Sequence, residues 1–310
     1  MLFTFNKMFF KSLLLLVSLG MCWGTGFSIA KFAMESGVTP LGYSFWQSFG
    51  PAVFILIVTL LRDKKFPEFS IQHILFYFIC GLLGIVLPNI TMYFSATHVP
   101  SGILGLIVNT SPIITYVLSI FFLLEKFSVY RFLGIIIGFF GLVILFYPKL
   151  TIYADFNWML FALLTPFLLA SCTIFMVKLR PVHASSLALS AGMLLASSMI
   201  IAPITIMTDN FHIIKFPLDL PNFFIIIEII LSSIGYVIFF ELLKIAGPVY
   251  YSLVGCIVAM VGLFWGYIIF NETISLTEWL SIVLIILSIY LVSMQKQKEH
   301  RIQSDALNKL

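Results

Sequence analysis

Glu228 stands in the run Ile225-Ile226-Ile227-Glu228-Ile229-Ile230, and an ionised acid at the centre of a helix in hydrocarbon costs about 3 kcal/mol. Such a group has to be protonated, paired or wet. It can pass a proton, hold a substrate amine, or reach water along its own stem if it lies shallow. Lys31 is the base at a broadly similar depth, and it suits either a counter-charge to Glu228 or an anchor for a carboxylate. A second polar group is Asn109-Thr110-Ser111-Pro112. Pro112 has no N–H, so the carbonyl of Val108 loses its partner beside an amide and two hydroxyls. Asn109 and Ser111 can therefore line a polar pocket at a flexible break, or simply mend the kink. Asn89 and Tyr93 are four residues apart and share one helix face. That stripe can bind a solute or bond a neighbouring helix. Trp23 and Tyr236, and to a smaller extent Trp265, can stack on a solute, close a pathway, or pack.

These residues must be placed by membrane helices. Of 310 residues, 61% are apolar or aromatic and 10% are charged, against about 25% charge in a soluble domain. A hydrocarbon core about 30 Å thick needs about 20 apolar residues per spanning helix. The apolar runs give ten spans, 12–33, 41–61, 73–95, 101–124, 131–147, 156–178, 185–207, 222–244, 248–270 and 277–294. The first run is too long for a secretory signal and has no clear small-residue cleavage site, so it is read as a span. With both termini in the cytoplasm, 14 of the 17 basic residues fall on the inner side and three, Lys31, Lys149 and Lys215, on the outer, as the positive-inside rule requires. The basic residues are scattered among short loops, so nucleic-acid binding is not expected. Cys22, Cys80, Cys172 and Cys256 all lie in apolar runs without metal-ligand spacing and read as packing residues. Prolines 51, 88, 112, 166 and 203 fall inside spans and free the carbonyls of Gln47, Gly84, Val108, Ala162 and Met199.

Shifting the chain against itself by 147 residues sets Glu125 on Glu272, Ser128 on Ser275, Phe132 on Trp279 and Leu133 on Leu280. In both copies a glutamate closes a long apolar helix and a short polar turn leads into the next. Five spans per copy is an odd number, so the copies enter the membrane from opposite sides and form an inverted repeat. The expected fold is all-α and integral to the membrane. The expected units are a first repeat over 1–148, a second over 149–295 and a cytoplasmic tail over 296–310.

The landmarks Trp23-Gly24-Thr25-Gly26-Phe27, Tyr93-Phe94-Ser95-Ala96, Ser111-Pro112, Leu124-Glu125, Tyr236, Ala246-Gly247-Pro248 and Phe270-Asn271-Glu272 resemble the EamA-type ten-helix members of the drug/metabolite transporter superfamily. The resemblance implies two inverted five-helix units, a central solute pathway and alternating access without ATP hydrolysis. Two departures stand out. Gln47 occupies a position in span 2 that is often arginine in such proteins, and Ala259 is the counterpart of Pro112, which implies that span 9 is straighter than span 4.

No Gly-x-x-x-x-Gly-Lys phosphate loop is present, and there is no His-Glu-x-x-His or Gly-x-Ser-x-Gly pattern. ATP use and enzymatic chemistry are thus disfavoured, and neither a cofactor nor a metal is expected. A multiply phosphorylated solute would need several inward Arg or Lys residues, which the spans lack. The expected partner is a small polar solute, such as an amino acid or a nucleoside-like metabolite, carried across the cytoplasmic (inner) membrane with proton coupling or exchange. The expected binding set is Trp23, Asn89, Tyr93, Asn109, Ser111, Glu228 and Tyr236, with Lys31, Glu228 and Pro112 in coupling or gating. A non-transporting sensor or assembly factor is the competing reading. Glycine pairs at four-residue spacing, Gly20 with Gly24, Gly134 with Gly138 and Gly262 with Gly266, allow close helix approach within the chain or across a homodimer seam.

Overall fold

A computed structural model describes residues 2–63, 67–96, 98–99, 101–147, 156–181, 184–270 and 275–307, and among them there are helices and no strands. Among the described residues nine helices are long and apolar enough to cross a membrane, and Val254–Trp265 is a shorter apolar helix. Together they make the ten spans of a multi-pass membrane protein built as two inverted five-helix repeats.

Spans 1, 2, 5, 7 and 10 are unbroken helices, Leu2–Glu35, Pro40–Asp63, Val129–Phe146, Ser186–Met207 and Leu276–Leu307. Span 8 is also continuous up to Gly247, whereas spans 3, 4, 6 and 9 are interrupted, and the interruptions at spans 3, 4 and 6 have local causes. Span 3 runs Ile71–Gly81, a π-helical turn Leu82–Val86, then Leu87–Ala96. The wider turn precedes Pro88, which cannot donate, and lets the Leu87 N–H reach the Leu82 carbonyl. Span 4 breaks between Ser101–Val108 and Ser111–Phe121, just before Pro112. Span 6 breaks at Leu163, between Phe156–Ala162 and Leu164–Leu179, three residues before Pro166. Pro51 and Pro203 are absorbed within unbroken helices.

Spans 8 and 9 join across Gly247, whose φ of 80° and ψ of 174° reverse the backbone direction where a side chain would be strained. Span 9 is not the straighter counterpart of span 4. It is interrupted at Leu253, between Leu220–Ser252 and Val254–Phe270, although no proline stands within it after Pro248. The break is closed by short backbone bonds, Leu253 N–H to Tyr250 at 3.3 Å and Cys256 N–H to Leu253 at 3.0 Å.

The repeats interleave. Span 1 packs on spans 8 and 9, span 2 on span 7, span 3 on spans 6 and 7, and span 5 on span 10. Lipid tails are as apolar as leucine, so helix association relies on close contact at small residues. A Cβ on Gly20 would lie 2.3 Å from Ile257 Cγ2, and one on Gly24 would lie 2.7 Å from Val261. Gly134, Gly138 and Gly141 likewise face Val292, Ser288 and Leu284 of span 10. These glycines serve internal packing, whereas Gly262 faces open space.

Gly134→Val would force a side chain to within 2.8 Å of Val292 Cγ2 and 3.2 Å of the Ser288 carbonyl. The expected cost is about 1–3 kcal/mol of overpacking, measured as a lower thermal midpoint of the detergent-purified protein. An unchanged midpoint with loss of a dimer would place this stripe on a seam between copies.

Candidate functional site

Glu228 follows Leu220, the first residue of its helix, by eight positions, about 12 Å along the axis. It is 3% exposed, so it does not reach water along its stem. Span 1 makes room for it by having no side chain at that level. A Cβ on Gly26 would lie 2.7 Å from Oε2 and 3.2 Å from Oε1.

The Oε1 atom accepts from the Ser232 hydroxyl at 2.6 Å and from the Gln47 amide at 3.1 Å. Ser232 is one turn along the same helix, and Gln47 reaches across from span 2. Tyr43, one turn before Gln47, stands beside the carboxylate, and its hydroxyl donates to the Gly26 carbonyl at 3.4 Å. The Oε2 atom makes no direct hydrogen bond among the described residues. Spans 1, 2 and 8 therefore enclose an acid with one oxygen satisfied by neutral donors and the other open to a further proton or donor. The side chain of Lys31, the base expected opposite Glu228, lies outside the described residues, as does that of Tyr93.

One turn before Gly26 on span 1, and about two turns after Glu228 on span 8, is an aromatic cluster. Trp23 lies 6.2 Å from Tyr236, 5.9 Å from Phe239 and 6.1 Å from Tyr251, measured between ring centroids. Its indole fits against Gly235, where a Cβ would be 3.1 Å from Nε1. Trp23, Tyr236 and Glu228 are thus brought into one column along the contact between spans 1 and 8.

Asn89 and Asn109 hydrogen-bond elsewhere. Asn89 donates to Ser44 of span 2 at 3.2 Å, tying spans 2 and 3. Asn109 donates to the Gly105 carbonyl at 2.9 Å and Thr110 to the Ile107 carbonyl at 2.7 Å, so both side chains mend the break in span 4. Ser111 and Pro112 begin its second segment. The Asn109 carbonyl oxygen also points at Gly255, where a Cβ would lie 2.3 Å away. The broken spans 4 and 9 therefore meet near their interruptions, with glycine on one side and an amide on the other.

Sequence reasoning passed over several of these groups. Gln47 is read there as a departure without a partner, Gly26 only as part of a landmark, and Tyr43 and Ser232 are not singled out. The spacing of Tyr43 with Gln47 and of Glu228 with Ser232, four residues in each case, puts each pair on one helix face and was the available signal. Near the face that bears the termini, Arg131 pairs with Glu125 and is 5% exposed. Glu125 also lies 3.6 Å from where a Cβ on Gly247 would be. There too Arg180 donates to the Phe240 carbonyl at 3.2 Å and to Ser186 at 3.1 Å, and Ser186 donates to Glu241. Residues counted as loop charges are thus partly built into the interior.

A cavity of about 600 Å³ opens elsewhere, between spans 1, 9 and 10, walled by residues such as Val17, Met21, Val261, Phe264 and Ile289. Its polar groups include Thr25 and Trp265, which bond to each other at 3.0 Å. An almost wholly carbon wall does not suit a polar solute, and Glu228 is not on it.

The sequence profile of the EamA-like transporter family matches residues 10–147 and again 156–294. The chain belongs to the EamA-like transporter family. An uncharacterized transporter of Archaeoglobus fulgidus is 22% identical over 87% of this chain and 94% of its own length. The uncharacterized transporter YvbV of Bacillus subtilis is 22% identical over 93% of each. YoaV of the same organism, also an uncharacterized transporter, is 31% identical over 44% of this chain, which spans 46% of that relative. A solved crystal structure superposes with a TM-score of 0.69 at 13% identity, over 95% of this chain and 98% of the other, so the EamA-like fold is shared with a known structure.

Two double-mutant experiments test the polar contacts. Gln47→Leu removes a donor from a buried carboxylate and is expected to cost about 1–3 kcal/mol; adding Glu228→Leu should recover most of it, read from thermal midpoints. Arg131→Met should cost about 3–5 kcal/mol by stranding Glu125, with partial recovery when Glu125→Gln is added.

Proposed function

We propose that this EamA-like transporter is a secondary transporter that moves a small polar metabolite bearing an amino group, amino-acid-like or nucleoside-like, across the cytoplasmic membrane by alternating access. Both termini are cytoplasmic in this reading, consistent with the distribution of basic residues. The two repeats rock about a central pathway, and the driving force is a proton gradient or solute exchange. The chain performs no covalent chemistry on its solute and needs no cofactor.

The observation that carries the reading is the enclosed Glu228 carboxylate, 3% exposed and held by Gln47 and Ser232 with Oε2 open. Ionisable groups inside membrane proteins face cavities or partners and mark ion and substrate pathways. A carboxylate held by neutral donors gains by binding a proton or an ammonium group, either of which supplies the missing donor and cancels its charge. The Trp23–Tyr236 cluster beside it offers ring faces to an apolar portion of the solute or to a cationic group. Asn109, Ser111 and Pro112 act at the break of span 4, where its contact with Gly255 of span 9 changes as the repeats rock. Asn89 and Tyr93 supply polar contacts to the solute in this scheme, and Lys31 offers a counter-charge or a carboxylate anchor. Two copies forming a homodimer would use lipid-facing surface such as that around Gly262.

The test is uptake into liposomes of labelled amino acids, purines and nucleosides, with and without an imposed pH gradient, for wild type and Glu228→Gln. The expected result is saturable uptake of one class, driven by the gradient in wild type and uncoupled or lost in the variant. Saturable uptake indifferent to both gradient and variant would remove Glu228 from the mechanism. No uptake of any class would favour a sensor or assembly factor.

A further inference from the structure

The four cysteines are free, and two of them meet across the boundary between the repeats. Cys80 lies in span 3 of the first repeat and Cys172 in span 6 of the second, 0% and 2% exposed. The Cys172 thiol donates to the Cys80 backbone carbonyl at 3.7 Å, which sets the two cysteines side by side. Gly84, one turn after Cys80, makes the space: a Cβ there would lie 2.9 Å from Cys172 Sγ. It belongs to the π-helical turn Leu82–Val86. The methyl end of Met176, one turn after Cys172, lies 4.0 Å from the same point, and its side chain is 2% exposed. Two cysteines from opposite repeats therefore lie side by side in an apolar interior, with the end of the Met176 side chain close by. Sequence reading treats each of these cysteines as packing, because each lies in an apolar run without metal-ligand spacing.

We propose that Cys80 and Cys172 bind one soft monovalent ion, Cu(I) or its analogue Ag(I), as a bridge between the two repeats. Thiolate and thioether donors select Cu(I) over hard cations. Among the described residues no group of three or more His, Cys, Asp or Glu side chains converges to hold a metal, and a closed zinc site needs four such ligands. Charge selects the protonation state. A net charge in hydrocarbon is expensive, so the ion displaces the proton of one thiol, which leaves to water, while the second sulfur joins as a neutral donor. The thiolate and the monovalent ion cancel, one proton is released per ion, and no oxidation state changes. The bound ion ties span 3 to span 6 and opposes relative movement of the repeats. The inference does not depend on what, or whether, the protein transports.

The test uses the full chain purified in detergent under reducing conditions, with Cu(I) partitioned against the chelator bathocuproine disulfonate. Wild type is expected to take one Cu(I) and release one proton, and Cys80→Ser or Cys172→Ser to lose the ion. The Cys22→Ser/Cys256→Ser double variant should keep it. Gly84→Ala retains both thiols while crowding Cys172 Sγ, and should weaken binding by roughly ten- to a hundredfold. X-ray absorption of the wild-type complex should show sulfur neighbours only, a readout independent of how well the variants fold. Nitrogen or oxygen ligands, retention by either cysteine variant, loss in the Cys22/Cys256 variant, or no binding by wild type would each overturn the proposal.

Discussion

Hydrocarbon offers no hydrogen bonds, and the structure is organised by that constraint. Every polar group placed in a span must find its partner within the protein. At the broken spans this is met locally: Asn109 and Thr110 bond to carbonyls in their own helix, and the π-helical turn of span 3 re-pairs the backbone ahead of Pro88. At Glu228 it is met for Oε1 by Ser232 from the same helix and Gln47 from span 2, while Gly26 of span 1 leaves room for Oε2.

The same constraint explains the unequal treatment of charge. Arg131 and Glu125 are both largely removed from solvent, and they pair with opposite charge near the turn between spans 4 and 5. Glu228 has neutral partners and one oxygen without a direct hydrogen bond among the described residues. An acid neutralised by a fixed counter-charge differs physically from one held by neutral donors alone. The first acid holds a turn, and in the proposed function the second receives a proton or an amine.

Close helix approach is the second organising feature. Gly20, Gly24, Gly134 and Gly138 each give up the space that a partner side chain fills, and their partners come from the opposite repeat. The repeats are consequently interleaved, with span 1 lodged between spans 8 and 9 and span 5 against span 10. This interleaving brings Trp23 to Tyr236, Asn109 to Gly255 and Cys80 to Cys172 from distant parts of the chain.

The sequence by itself determined the solvent, the spans and the repeat. The length and apolarity of each run are set by bilayer thickness, and the parity of five spans follows from counting. It also marked Glu228, because an acid among isoleucines is anomalous on any segmentation, and it marked the break at Pro112, because a missing N–H is a property of one residue. Only the tertiary structure decided the partners. Gln47 and Glu228 are 181 positions apart, and no periodicity relates them. The break in span 9 was likewise invisible: it has no interior proline, and it is placed by the turn at Gly247 and the fit of Gly255 against Asn109. Helix period and composition are local and can be read along the chain, whereas the pairing of faces depends on how ten helices cross, and that is decided only when they pack.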